Sequence, residues 1–271
     1  MIRLIMIDLD DSLLDDNQKI SAHSKIIIEQ ALARGITVVL ATGRMASSAL
    51  PYAQELGLTT PIACCHGGII TESSSGRILR RELIPYELAV RAAQIAEAED
   101  VYVQTYDSDA QNYYYKENCE YSNLYKRLTG VQGIPTHVPV SSFISFNPSK
   151  VLFIDTPETI QRLFGIAKQQ FGSTLAIATS KPIYLEITNP NANKGNALQY
   201  IAAQYGVEKS EILAIGDGGN DLPMKQFAGT FVAMGNAHAS VQQQADFVTL
   251  PNTQDGAAAA IERFALSRSV D

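Results

Sequence analysis

Short runs of Ile, Val and Leu alternate with amphipathic stretches of about a dozen residues along most of this 271-residue chain. That alternation constrains the fold more than any other feature, because strand and helix units of this length pack as a parallel sheet flanked by helices. The spacing predicts strands over 2–8, 36–41 and 61–65, and helices over about 22–34 and 45–57. Gly35 suits the end of the first helix, since glycine enters the left-handed region without steric cost. Residues 69–72 and 77–81, separated by Ser73-Ser74-Ser75-Gly76, read as a hairpin.

From about 84 to 189 the chain changes character and reads as an inserted α+β unit. Pro85 opens a helix over about 86–97, strands follow at 101–105 and 111–115, and a helix over 157–170 lies among strands near 150–155, 174–179 and 183–188. The turn-rich Asn189-Pro190-Asn191-Ala192-Asn193 serves as the return. Alternation then resumes with helix 194–206, strand 211–215, helix 220–227, strands 229–233 and 246–249, and a last helix at 254–264. The expected domains are therefore 1–83 and 190–271, forming one α/β parallel-sheet core in two segments, and the insertion 84–189.

Apolar residues make up 46% of the chain and charged residues 18%, without a charge block, so disorder is expected only around Ser267-Arg268-Ser269. The net charge of −7 opposes a nucleic-acid partner, because phosphate backbones demand clustered Lys and Arg. No apolar run reaches membrane-spanning length, and the start at Ile2-Arg3-Leu4 lacks the features of a signal peptide. Cys64 and Cys65 are adjacent and Cys119 is distant, which gives neither a disulfide framework nor zinc spacing; a reducing cytoplasm is the expected location.

Polar residues gather where the strands end, which is where open parallel sheets bind ligands. The first strand ends at Asp8-Leu9-Asp10, the second at Thr42-Gly43-Arg44, the third at His66-Gly67-Gly68, and the strand after the insertion at Gly216-Asp217-Gly218-Gly219-Asn220-Asp221; Lys194 opens the helix after the return. Four carboxylates at the ends of central strands repel one another in a low-dielectric crevice, an arrangement that makes sense with a divalent cation.

Asp8-x-Asp10, Thr42, Lys194 and Gly216-Asp217-x-x-Asn220-Asp221 occur in the order of the four motifs of the haloacid dehalogenase superfamily. The chain resembles the Cof-type phosphatases of that superfamily, which carry a C2B-type α/β cap inserted into a Rossmann-like core. Met234-Gly235-Asn236-Ala237 and Asp255-Gly256 are further similarities. The resemblance implies Mg²⁺-dependent hydrolysis of small phosphomonoesters, such as sugar phosphates or related metabolites, through an aspartyl-phosphate. It implies Asp8 as nucleophile and Asp10 as acid and base. Asp8, Asp217 and the Asp10 carbonyl would be the Mg²⁺ ligands, with Asp221 in support. Thr42, Gly43, Lys194 and Asn220 would be the phosphate contacts. A phosphomutase using the same nucleophile and a phosphorylatable regulatory module are the alternatives.

Two positions depart from the usual family pattern. Asp11-Ser12 stands where Gly-Thr is common, and aspartate tolerates unusual backbone angles. His66 precedes Gly67 where Asn is frequent, and histidine can still form a hydrogen bond. Gly216 to Asp221 comes close to a dinucleotide fingerprint, but Asp221 occupies the place of its third glycine. Tyr113-Tyr114-Tyr115 is expected to alternate between sheet faces, with core packing favoured over a substrate pocket, and Glu186 is either a helper of the site or an ordinary strand residue.

Overall fold

The computed structural model describes residues 1–267; apart from Ser267, the expected disorder around Ser267-Arg268-Ser269 lies outside the described residues. The chain divides into two compact units. Met1–Gly43, Ala49–Arg77 and the described residues from Asn193 on form the first, and Arg44–Ser48 with Ile78–Ala192 form the second. No helix among the described residues is long and apolar enough to cross a membrane.

The first unit is built on β1 (Leu4–Asp8), α1 (Ala22–Ala33), β2 (Thr37–Ala41), α2 (Ala46–Glu55), β3 (Pro61–Cys64) and β4 (Ile69–Glu72). Ser21 caps α1 by accepting the Ser24 N–H at 2.9 Å, and Gly35 follows it at φ 76°. Leu4, Ile5, Met6 and Ile7 are all fully buried, as a central strand of a parallel sheet covered on both faces requires. The chain returns through α7 (Lys194–Tyr205), β12 (Ile212–Gly216), β13 (Thr230–Ala233), α8 (Ala239–Gln242), β14 (Phe247–Val248) and α9 (Gly256–Ile261). The strands run β14-β13-β12-β1-β2-β3-β4, parallel except for β4 against β3. Asp8 pairs with Ala41 and Ile7 with Ile215, so the carboxyl ends of β1, β2 and β12 finish level, as a ligand site at this edge needs. The fold is α/β with a Rossmann-like parallel sheet, as expected.

The second unit contains β5 (Ile78–Arg81), α3 (Tyr86–Ala98), β6 (Tyr102–Tyr106), β7 (Tyr113–Tyr115), α4 (Glu120–Thr129), β8 (Ile134–Pro135), α5 (Val140–Phe143), β9 (Val151–Ile154), α6 (Pro157–Phe171), β10 (Ala176–Ala178) and β11 (Tyr184–Thr188). Its six-stranded sheet, β10-β11-β9-β6-β7-β8, has two unlike faces. Val103, Phe153, Leu185 and Ile187 pack with Ala89, Ala93, Ile160 and Leu163 of α3 and α6 in one apolar core. The strand period sends Tyr102, Gln104 and Tyr106 to the other side. There Gln104 Nε2 donates to the Tyr106 hydroxyl, and Tyr106 to the Tyr125 hydroxyl of α4, both at 2.6 Å. Tyr113 and Tyr115 are buried, and Tyr114 stacks on Phe143 with ring centroids 4.8 Å apart, which is the expected alternation.

The structure adds α4, β8, α5 and α8, for which the hydrophobic spacing gave no signal. It also corrects the helix expected over 220–227 to a 3₁₀ turn at Leu222–Gln226. Gly218 and Gly219 disfavour a helical start, and Pro223 supplies no N–H to a helical ladder.

Candidate active site

Asp8 ends β1 buried at 5% exposure, and the chain then leaves the strand through a tight turn rather than a bulge. Asp11 takes φ 57°, ψ 10° in that turn, so the residue replacing glycine does adopt the left-handed conformation. Its carbonyl accepts the Asn236 amide at 2.8 Å, and Asn236 Oδ1 accepts the Asn252 N–H at 2.9 Å. The Met234-Gly235-Asn236-Ala237 segment thus pins the acidic turn from the far side of β12. Ser12 Oγ donates to Asp217 Oδ1 at 3.0 Å, a link between the two acidic loops that the sequence gave no reason to expect.

Asp8, Asp217 and Asp221 place carboxylate oxygens within 4.8 Å of one another. The only ammonium shown among them is that of Lys194, fully buried at the first position of α7. Asn193 caps that helix by accepting the Asn196 N–H at 2.8 Å, which fixes where Lys194 begins. Its Nζ pairs with Asp8 Oδ1 and, at 2.5 Å, with Asp221 Oδ1. Asp221 Oδ2 accepts the backbone N–H groups of Asp217 at 3.0 Å and Gly218 at 2.9 Å. A Cβ on Gly216 would lie 2.5 Å from that oxygen, so only glycine lets the carboxylate fold back over the strand end. This closes the dinucleotide reading, because a side-chain carboxylate already occupies the amides that would receive a pyrophosphate.

The electrostatics follow from this packing. Burial, then the charge of Asp221, drives the Asp8 carboxyl well above its ordinary value, against the pull of Lys194. Burial and Asp221 likewise push Asp217 up to about 6 from an ordinary 3.8. Burial alone would lower the Lys194 ammonium, but Asp221 and Asp8 outweigh it and hold it charged. One cation therefore faces three carboxylates, and the surplus is relieved only by a proton or by another cation. An all-oxygen donor set with surplus negative charge fits a hard divalent ion. Asp221 has both oxygens engaged, whereas Asp8 and Asp217 bond Lys194 and Ser12 respectively and bond each other.

The remaining residues singled out by sequence form a second group at the same strand ends. The Thr42 side chain is fully buried and donates through Oγ1 to Asp10 Oδ2 at 3.3 Å, while its backbone bonds Ala63 O and the His66 N–H. Asn220 is exposed, and its Nδ2 lies 3.2 Å from His66 Nδ1. Gly43 lies under the His66 ring. The side chain of Asp10 is outside the carboxylate trio, which leaves its carbonyl as the group that the metal reading invokes. Cys64 and Cys65 are both buried, and the described residues contain no metal-type cluster other than Asp8, Asp217 and Asp221.

Comparison with known proteins agrees with this architecture. The chain is 29% identical to a putative phosphatase of Bacillus subtilis, YxeH, over 99% of this chain and 100% of the relative. It is 28% identical to the B. subtilis 5-amino-6-(5-phospho-D-ribitylamino)uracil phosphatase YcsE over 98% and 96%. The crystal structure of TM0651 from Thermotoga maritima superposes with a TM-score of 0.87 and 33% identity, covering all of both chains. The profile of the haloacid dehalogenase-like hydrolases matches residues 5–261, and the chain belongs to that family.

Proposed function

We propose that this phosphatase hydrolyses small phosphomonoesters through an aspartyl-phosphate on Asp8. The observation that carries the reading is the charge imbalance at the strand ends, three buried or half-buried carboxylates against Lys194. Lys194 pulls the Asp8 carboxyl toward ionisation against its burial and the charge of Asp221, the direction a carboxylate nucleophile needs. An Asp8 oxygen attacks phosphorus, and the bond from phosphorus to the leaving oxygen breaks as Asp10 gives that oxygen a proton. Asp10 then takes a proton from water, whose oxygen attacks phosphorus and releases inorganic phosphate and the free Asp8 carboxylate. Thr42 holds Asp10 by its hydroxyl, so the acid is oriented before substrate arrives.

Asp8, Asp217 and the Asp10 carbonyl would hold Mg²⁺, with Asp221 fixing the loop beneath. When bound, the ion supplies the positive charge that lets an anionic phosphoryl group approach anionic carboxylates. Thr42, Gly43, Lys194 and Asn220 are assigned to the phosphoryl oxygens, where placed donors stabilise spreading negative charge. The insertion, 84–189 by sequence, is assigned as a cap that selects the leaving group and excludes water. The name of YcsE supports a phosphorylated polyol or sugar as the substrate class.

Phosphate release from a panel of sugar phosphates, nucleotides and pyridoxal phosphate tests this, with Mg²⁺ or chelator and with Asp8→Asn as control. Metal-dependent release lost in the variant is expected. Full activity in Asp8→Asn overturns the covalent route, and conversion of a labelled hexose phosphate to its isomer without release favours a mutase.

A further inference from the structure

Three successive residues after β3 stand in the left-handed region: Cys65 at φ 49°, His66 at 58° and Gly67 at 95°. For Cys65 and His66 this conformation costs about 1–2 kcal/mol each, and such strain persists only where its surroundings enforce it. The enforcing contacts are on the page. His66 N–H donates to Thr42 O at 2.9 Å, and Gly68 N–H to Cys65 O at 3.0 Å. A Cβ on Gly67 would lie 2.5 Å from the Asn193 carbonyl, immediately before Lys194. The turn is thus wedged between the end of β2 and the start of α7.

The strained turn aims the His66 ring. A Cβ on Gly43 would lie 2.8 Å from Nε2 and 3.2 Å from Nδ1, so position 43 must be glycine for the ring to lie there. Nδ1 then sits 3.2 Å from the Asn220 amide nitrogen. An amide NH₂ carries only donors, so in this pair Nδ1 is the acceptor. The Asn220 carbonyl oxygen lies over Gly218, where a Cβ would strike it.

We infer that His66 is a positioning residue for phosphate: its Nδ1 takes one amide hydrogen of Asn220, so that the second is presented to a phosphoryl oxygen beside Thr42 and Gly43. The inference rests on the assignment of Asn220 as a phosphate contact and extends it to a residue outside the four motifs. His66 touches Asn220 and Gly43 through its ring and Thr42 through its backbone, so one residue bears on three of the four assigned contacts, two of them through its side chain. An exposed asparagine without this support would sample several rotamers and lose affinity for an anion it must meet in one.

The test is a double-mutant cycle read on p-nitrophenyl phosphate hydrolysis with Mg²⁺ and on calorimetric binding of inorganic phosphate. Loss of one placed hydrogen bond predicts that His66→Ala and Asn220→Ala each raise KM and weaken phosphate binding about tenfold, with kcat within about threefold. The double variant is expected to be no weaker than Asn220→Ala by more than about twofold, since the two act as one unit. His66→Asn, which offers an acceptor oxygen, is expected to recover most of the affinity. The Gly43→Ala penalty should shrink in the His66→Ala background, where the ring it strikes is gone. Independent, multiplicative penalties in the double variant overturn the inference, as does a His66→Asn protein as impaired as His66→Ala. Should His66→Ala fail to fold, His66→Leu, which keeps bulk but offers no acceptor, takes its place in the cycle with Asn220→Ala. Wild-type protein without hydrolysis would count against the phosphatase reading, while phosphate binding would still decide the role of His66.

Discussion

Each unit buries a lysine beside a carboxylate, and the two clusters differ in how many acids gather there among the described residues. In the second unit Lys150 pairs with Glu186 at 3.5 Å and lies 4.7 Å from the centre of the Tyr106 ring, while Ser180 Oγ donates to Glu186 at 2.6 Å. No group of three acids gathers there among the described residues, and a ring and a hydroxyl pack against the pair. In the first unit Lys194 meets Asp8 and Asp221, and Asp217 stands within reach of both. The lysine is buried in both places, so burial alone does not mark a site. The unbalanced sum does, because a folded protein tolerates surplus buried charge only where a ligand neutralises it.

The sharpest way to separate the clusters is activity. Asp8→Asn keeps the shape but removes the nucleophile, and turnover should fall by about 10⁴-fold or more. Measurement of phosphate release at saturating substrate checks this, and a loss under tenfold would break the assignment.

Stability separates them next. Lys194→Met and Lys150→Met should each cost about 3–5 kcal/mol in urea unfolding, since each strands a buried carboxylate. Replacing both partners in the second unit, Lys150→Met with Glu186→Leu, should recover most of that loss, because a buried ion pair can be exchanged for apolar packing. A double variant as unstable as Lys150→Met alone would show that the second cluster also has a specific task.

The pH dependence is smaller and has a definite sign. Asp217 is raised in the folded state to about 6 from 3.8, so the folded protein binds more protons than the unfolded chain between those values. Stability from this group is fully present below pH 3.8 and is lost as pH rises through 6, by about 3 kcal/mol in metal-free protein. Urea midpoints in chelator from pH 4 to 7 should show the decline, and Asp217→Asn should flatten it. The smallest effect belongs to Tyr184, whose hydroxyl is the one buried side-chain oxygen or nitrogen without a hydrogen-bond partner among the described residues. Tyr184→Phe should be neutral or stabilising by up to about 1 kcal/mol, whereas Tyr106→Phe, which loses bonds to Gln104 and Tyr125, should cost about that much. A clear loss in Tyr184→Phe would reveal a partner for that hydroxyl.

The same contrast explains what could be read from the sequence. The strands and helices of the first unit follow the expected order because central strands buried on both faces leave unbroken apolar runs such as Leu4-Ile5-Met6-Ile7. Helix α4 was illegible because it covers a tyrosine-lined sheet face through Tyr125 and is capped by Cys119, outside the usual capping set. At the strand ends, the convergence of Asp8, Lys194, Asp217 and Asp221 followed from their places after strands or at a helix start. The contributions of Ser12, Asn236 and the His66 ring did not. They depend on a side-chain bond between loops 205 residues apart, on a carbonyl contact, and on a strained turn, none of which leaves a periodic signal.

The most direct measurement is calorimetric titration of Mg²⁺ into the wild-type protein, Asp217→Asn and Glu186→Gln at neutral pH. If charge imbalance defines the site, the wild type and Glu186→Gln bind one equivalent alike, and Asp217→Asn binds at least about tenfold more weakly. Equal binding by Asp217→Asn, or loss of binding in Glu186→Gln, would contradict the account.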